Sequence, residues 1–473
     1  MVNRFKFFLL LPLVLLVSTS SCSRPLRMDP GYRMRSWEPS EGKASYPLEE
    51  PPPVVEAPLE ALTIARAREM ALANNETVAA ARATVEEARA RILEAFSPFL
   101  PTISGDINRT SNREFSKVTI AGGGSFVVSP PFITQGSAAL NLSLFAFGRD
   151  KAGVDAARAE LDVEFLNERT AKQTILLETT EAWYRIQNAK SQLQVAKDSE
   201  SAAARQHADA KNVYAAGRSA KDQVLIANVN WLESKQEVLS AENTMQHQNR
   251  VLNVLLTRPV DAPLTLADPP EYQKTVINGD QLVAWAQRYN PFVTAFRASR
   301  HALEKRRESV ALSLTPELYT TLGATYSDFR GFSGHSTNYF ATLGLQFTPV
   351  DGGRRMSRLG QIHAQLVRLT YQEQQALRQL NLDIRKVLLD IIEAESQVET
   401  ARAAIESSTE SYRIISDRFR NGKTTSREVL EAQASLSNSR NAHNLGRFGR
   451  QVLLAQLEAL VGVQTSEWLE VAP

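Results

Sequence analysis

The sequence predicts a mainly helical protein with a minority of strands, built from an internally duplicated helix–strand–strand–helix unit. Three observations carry that prediction. First, residues recur at one fixed spacing: Gly148-Arg149 returns as Gly353-Arg354, 205 positions on. At the same offset Ala159 meets Ala364, Gly217 meets Gly422, Val224-Leu225 meets Val429-Leu430, and Leu255 meets Leu460. A single offset held without a gap over so long a stretch marks a repeat. Second, segments 149–216 and 354–421 each run 68 residues without proline, with apolar groups at helical spacing. Third, the short segments between the helices alternate apolar and polar residues with a period of two.

Composition narrows the function. The 473 residues are 43% apolar and 22% charged, enough to bury a sizeable core. Lys plus Arg number 54 against 52 for Asp plus Glu, a formal +2. That balance excludes a strongly basic nucleic-acid binder. One cysteine excludes a disulfide scaffold and a Cys-based zinc site. His207, His247, His301, His335, His363 and His443 are at least 28 residues apart, so no paired histidine ligands exist in sequence. No nucleophile motif such as GxSxG is present. No catalysis, metal or other cofactor is expected.

Residues 1–21 read as an export signal. Arg4 and Lys6 precede an apolar run of eleven residues, Phe7 to Val17. A spanning helix needs about 20 apolar residues, so this run is too short. The only cysteine, Cys22, follows directly and resembles the lipidated residue of a bacterial lipoprotein box, although Thr19 stands where Leu or Val is usual. The alternative is a plain signal peptide with an incidental cysteine. On either reading the mature chain lies outside the cytoplasm. Residues 22–59 form a tether: eight prolines fall within positions 23–58, which forbids a helix there. Fully stretched, that segment reaches about 110 Å.

The first repeat is assigned to 60–258, a proline-rich linker to 259–280, the second repeat to 281–464 and a tail to 465–473. Upstream of the strands the offset becomes 215, pairing Asn75 with Asn290, Val78 with Val293 and Pro101 with Pro316. The difference implies a longer loop in the first copy, around Gly122-Gly123-Gly124 and Pro130-Pro131. Each repeat reads helix, two strands, long helix, turn, helix. The long helices would extend about 100 Å, far beyond the globular mean of about 11 residues. They therefore belong to a coiled-coil-like assembly. Its seam steps by four and three through Ile175, Thr179, Ala182, Ile186, Ala189, Leu193 and Ala196. Ile384, Val387, Ile391, Ala394, Val398 and Ala401 carry it in the second copy.

Among the strands, Leu140, Leu142 and Leu144 alternate with Asn141 and Ser143. Leu318, Leu322, Ala324 and Tyr326 alternate with Tyr319, Thr321, Gly323 and Thr325, and the segment Tyr339–Phe347 behaves alike. A soluble half-buried sheet shares this alternation. The export signal and flanking phenylalanines favour a membrane β-barrel with a wet lumen. Four strands cannot close a barrel, for which about eight are needed, and open edges are not tolerated in lipid. Three chains would supply a trimeric 12-stranded β-barrel continued by a long α-helical barrel.

These features resemble the outer-membrane efflux channel family typified by TolC. The resemblance rests on the duplicated unit, the paired Gly-Arg junctions and the Asn290-Pro291-x-Val293 start. It also rests on two turns, Ala216-Gly217-Arg218-Ser219 and Asn421-Gly422-Lys423-Thr424, each followed by Val-Leu. It implies a homotrimer in the outer membrane with a long periplasmic extension. It further implies a periplasmic adaptor and an inner-membrane pump as partners, with outer membrane lipid around the barrel and no nucleic acid. Gly217, Arg218, Ser219, Gly422, Lys423 and Thr424 would lie at the periplasmic tip against the adaptor. Family members carry acidic residues six and nine positions after the second glycine, facing the pore; here these are Glu428 and Glu431. In the first copy the sixth position is Gln223, with Asp222 before it. Ordinary helix capping explains the glycines equally, and the helix macrodipole explains the acids. The function expected is a passive export duct in a tripartite efflux or type I secretion system. The alternative is a structural coiled-coil lipoprotein bracing the periplasm.

Overall fold

The computed structural model describes residues 61–111, 117–119, 121–127, 132–269, 277–331 and 334–463. The export signal, Cys22, the tether and the 465–473 tail lie outside the described residues.

Two helices, not one, precede the strands in each half. Helix α1 (Ile64–Asn74) starts on the Thr63 hydroxyl, and α2 (Glu76–Phe96) follows after a single residue. In the second half α5 (Gly279–Tyr289) and α6 (Pro291–Leu312) repeat the break. The cause is the asparagine at each joint. Asn75 (φ −67°, ψ 132°) and Asn290 (φ −63°, ψ 120°) leave helical geometry and cap the next helix with their side-chain oxygen. The amide of Asn75 donates to Leu255 O at 3.2 Å, and that of Asn290 to Leu460 O at 2.8 Å. Each buried cap thus also ties its helix to the far end of the following hairpin. The predicted linker is tied in as well: Leu62 bonds Thr265 O and Ala267 N, at 2.8 and 3.0 Å.

Strands β1 (Thr102–Ser111), β4 (Phe132–Phe145), β5 (Glu317–Gly331) and β6 (Gly334–Gln346) form one antiparallel sheet in the order β1-β4-β5-β6. The extra length of the first half holds a small hairpin, β2 (Lys117–Thr119) and β3 (Ser125–Val127), around Gly122. The registers set the two faces. Ile103, Leu140, Leu322 and Ala341 share one row, and Gly105, Ala138, Ala324 and Tyr339 the next. The opposite face carries Ser104, Asp106, Asn141, Thr321 and Thr342. One face is therefore apolar and the other polar or small, the alternation the sequence predicts. One position differs: an irregularity between Ser143 and Phe145 takes Leu144 out of register, and Phe145 pairs with Leu318 instead. Glycines on the polar face make room for rings, since a Cβ on Gly344 would sit 2.5 Å from Tyr319 and one on Gly323 2.5 Å from Phe340.

Below the sheet run α3 (Arg149–Ala215) and α7 (Arg354–Arg420), 67 residues each and about 100 Å long. Each turns back into a shorter helix, α4 (Lys221–Leu255) and α8 (Ser426–Val461). The predicted seam is buried along both long helices, with Ala196 half-buried at its end. Two apolar clusters hold the middle. One gathers Leu62, Val78, Ile175, Ile186 and Leu252 around Trp183; the other gathers Leu282, Val293, Val387 and Leu457 around Ile384. Each large buried side chain contributes about 1.5–3 kcal/mol. Among the described residues no helix is long and apolar enough to cross a membrane.

Candidate functional site

Both long helices end in the same way. At the first turn the Gly217 N–H donates to Tyr214 O at 2.8 Å and the Arg218 N–H to Val213 O at 3.0 Å. At the second the Gly422 N–H donates to Phe419 O at 2.8 Å and the Lys423 N–H to Arg418 O at 2.9 Å. This double bond is a Schellman cap, which requires a left-handed residue. Gly217 and Gly422 supply it, with φ of +72° and +69°.

The two turns stand side by side. A Cβ on Gly422 would lie 3.4 Å from Arg218 Cβ and 3.5 Å from Arg218 O. Beneath them Ala210, Ala227, Phe419 and Val429 form a small apolar core. Ser426, fully buried, is the polar joint. Its N–H donates to Gln223 Oε1 at 2.8 Å and its hydroxyl to Gln223 O at 3.0 Å, while its carbonyl accepts from Gln206 Nε2 at 3.0 Å. Gln223 thus caps the first turn of the other hairpin's return helix. Gln433 adds a bond from Nε2 to Ser199 O at 2.7 Å. Arg420 meets Asp209 at 2.9 Å on the surface. Sequence reasoning noted Gln223 only as a departure and missed Gln206, Ser426 and Gln433. The available signal was polar residues of fixed geometry at otherwise apolar seam positions.

The predicted acidic residues are brought to this end of the molecule. Glu428 is fully exposed in the first turn of α8 and completes a capping box with Thr425, accepting from its N–H at 3.4 Å and its hydroxyl at 3.1 Å. The Thr424 hydroxyl also donates to it. That hydroxyl first, then Thr425, holds the Glu428 carboxyl below the usual carboxylate range. Glu431, one turn on, is exposed, and so is Asp222, which accepts from Gln223 Nε2 at 3.0 Å. Among the described residues no group of three or more His, Cys, Asp or Glu is placed to hold a metal.

The arrangement is a pair of fused helical hairpins with a glycine turn on each, Asp222 exposed behind the first and Glu428 and Glu431 behind the second. It presents the surface of two adjoining turns and exposed charge. The sequence model described as outer membrane efflux protein matches residues 67–258 and 285–463. Three solved structures are similar in fold. The outer membrane protein VceC of Vibrio cholerae is 18% identical, over 85% of this chain and 96% of that one, with a TM-score of 0.70. The outer membrane channel CmeC of Campylobacter jejuni is 14% identical, over 86% and 88%, with a TM-score of 0.70. The open state of the outer membrane channel MtrE of Neisseria gonorrhoeae is 15% identical, over 85% and 89%, with a TM-score of 0.66. No curated protein matches the chain.

Proposed function

We propose a function for this chain on the footing of the family to which it belongs, the outer membrane efflux proteins. It is an outer-membrane efflux channel. More specifically, it is the passive export duct of a tripartite efflux or type I secretion system, working as a homotrimer with a periplasmic adaptor and an inner-membrane pump. The observation that carries this reading is the sheet: four antiparallel strands with an exposed apolar face, a polar opposite face and two open edges, β1 and β6. Ile103 and Ile107 are 81% and 85% exposed, and Leu343 68%. Water is a poor environment for that face, and lipid forbids the open edges. Joining the edges of three chains into twelve strands pairs them, and the closed barrel can then turn its apolar face to lipid. The matching turns, caps and long helices of the two halves support a duplicated unit that continues the barrel as a helical tunnel.

In this assembly the turn residues Gly217, Arg218, Ser219, Gly422, Lys423 and Thr424 meet the adaptor. Glu428 and Glu431, with Asp222 as a lesser contributor, form a constriction. Three chains would bring six glutamates into one ring, which attracts cations. Purified in detergent, the protein should run as a heat-modifiable, β-rich trimer and conduct in planar bilayers. Glu428→Gln combined with Glu431→Gln should lower cation selectivity severalfold and weaken block by trivalent cations, both effects shrinking at high salt. A rod that stays soluble without detergent would instead support the periplasmic strut. Wild-type selectivity in the double variant would confine these glutamates to helix capping.

Cys22 is proposed as the lipid anchor of the mature chain. Cys22→Ala should abolish incorporation of labelled palmitate while the barrel still holds the protein in the membrane. Label that persists in the variant removes the anchor.

A further inference from the structure

The two halves of the chain carry their charge differently where the sheet gives way to helices. In the first half the arginines are paired. Arg89 and Arg91 on α2 meet Glu86 and Glu87 at 2.5 and 2.6 Å. Arg149 meets Asp150 at 2.9 Å and Glu317 at 3.0 Å, and Arg158 meets Asp155 at 3.3 Å. In the second half Arg306 and Arg307, near the end of α6, and Arg354 and Arg358, at the start of α7, are all exposed. No carboxylate among the described residues pairs with any of these four. Of the nearby acids, Glu308 is engaged with Lys305 at 3.1 Å and Asp351 with the N–H groups of Gly353 and Arg355 at 3.1 and 2.9 Å, while Glu304 stands exposed one turn before Arg307 without bonding it.

These arginines share one level of the fold. Strand β6 ends at Gln346, paired with Glu317 at the start of β5, and α6 and α7 leave from that end of the hairpin. Arg307 lies about 8 Å along α6 from its end. Exposed apolar side chains lie at the same level: Phe347, which follows the apolar row of β6, is 52% exposed, Val350 in the connection to α7 83%, and Met356, between Arg354 and Arg358 on α7, 72%. Unpaired cations interleaved with exposed apolar residues at the edge of an apolar sheet are the pattern of a segment at a lipid headgroup layer.

On the reading that the sheet lies in a membrane, we infer that Arg306, Arg307, Arg354 and Arg358 bind the phosphates of anionic phospholipids in the leaflet facing the helices. The occupant follows from charge complementarity and from continuity with the lipid-facing rows of the sheet. Each such arginine strengthens attraction to an anionic surface by roughly fivefold. The first half, with its arginines neutralised, contributes less, Lys151 being its exposed cation at the start of α3.

The test uses full-length protein purified in neutral detergent, its thermal midpoint followed during titration with phosphatidylglycerol, phosphatidylcholine or inorganic phosphate. Phosphatidylglycerol should raise the midpoint and the other two should not. The variant Arg306→Gln, Arg307→Gln, Arg354→Gln, Arg358→Gln should need at least about tenfold more phosphatidylglycerol for half the shift. Lysine at the same four positions should keep most of the response. Arg185→Gln, Arg378→Gln, Lys386→Gln and Arg402→Gln together, far from the sheet, should behave as wild type. An equal response of the glutamine variant and the wild type overturns the proposal. So does a midpoint raised as much by phosphatidylcholine or by phosphate. A glutamine variant that loses chain–chain cross-linking overturns it too, by assigning the arginines to a neighbouring copy. Failure of the membrane reading shows separately, as wild type that does not insert into neutral vesicles at all.

Discussion

Gly462→Val should leave little folded protein, whereas Thr257→Gly should melt close to wild type. The two positions are 205 apart and end the return helices of the two hairpins. Gly462 has φ +83°, and a Cβ there would lie 2.8 Å from Tyr289 O and 2.9 Å from Asn290 Cα. Both obstacles are backbone, at the joint between α5 and α6, so no side chain can swing aside. Left-handed strain for a β-branched residue costs about 1–3 kcal/mol, and overpacking adds about 1–3 kcal/mol. Against a typical total of about 5–15 kcal/mol that sum is severe. Thr257 holds φ +54° at the corresponding place. Its hydroxyl turns the same close approach into a hydrogen bond, donating to Asn74 O at 3.1 Å. Removing it trades a bond of about 1 kcal/mol against relief of strain. Circular-dichroism melts and expression yields of the two variants measure the asymmetry. A Gly462→Val protein that melts with the wild type would refute the account.

The same comparison indicates which parts of the fold were legible. The long helices were, because nothing in 149–216 or 354–421 interrupts an apolar seam, and periodicity survives in any environment. The faces of the sheet were also legible, since alternation is a one-residue rule. The break at Asn290 was signalled by the Asn290-Pro291 start, but that at Asn75 was not, because an asparagine inside an apolar helical pattern reads as a tolerated polar residue until its amide is seen reaching Leu255. Nor was the irregularity at Leu144, since only the partner strand reveals which residue lost its place. At the turns the glycines announced themselves through the φ they must adopt. The Gln223–Ser426–Gln206 joint did not, because its partners are 203 and 220 residues apart. Glu428 was read from its distance to a glycine, whereas its nearest chemistry is the capping box with Thr425.

Gly422→Val should depress export by about an order of magnitude while the chain still folds and assembles. The tip is remote from the two main apolar clusters, so deforming it leaves them intact. Valine at φ +69° adds about 1–3 kcal/mol of strain in each copy. The cheapest relief is to open the Schellman cap, which frees the bonds to Phe419 and Arg418 and displaces Lys423 and Thr424. Its Cβ would already touch Arg218 at 3.4 Å, so the methyl groups beyond it have the first turn as their neighbour and the disturbance passes there. Gly217→Val meets nothing within 4 Å and should strain only its own turn, giving the weaker phenotype of the two. Dye accumulation in cells that depend on this channel, together with adaptor cross-linking through the turns, separates the outcomes. Unchanged export and cross-linking in Gly422→Val would mean that the turns end helices and do nothing more. Loss of both, with assembly retained, requires that the shape of the paired turns is itself what the partner reads, because no charge and no hydrogen-bonding side chain has been removed.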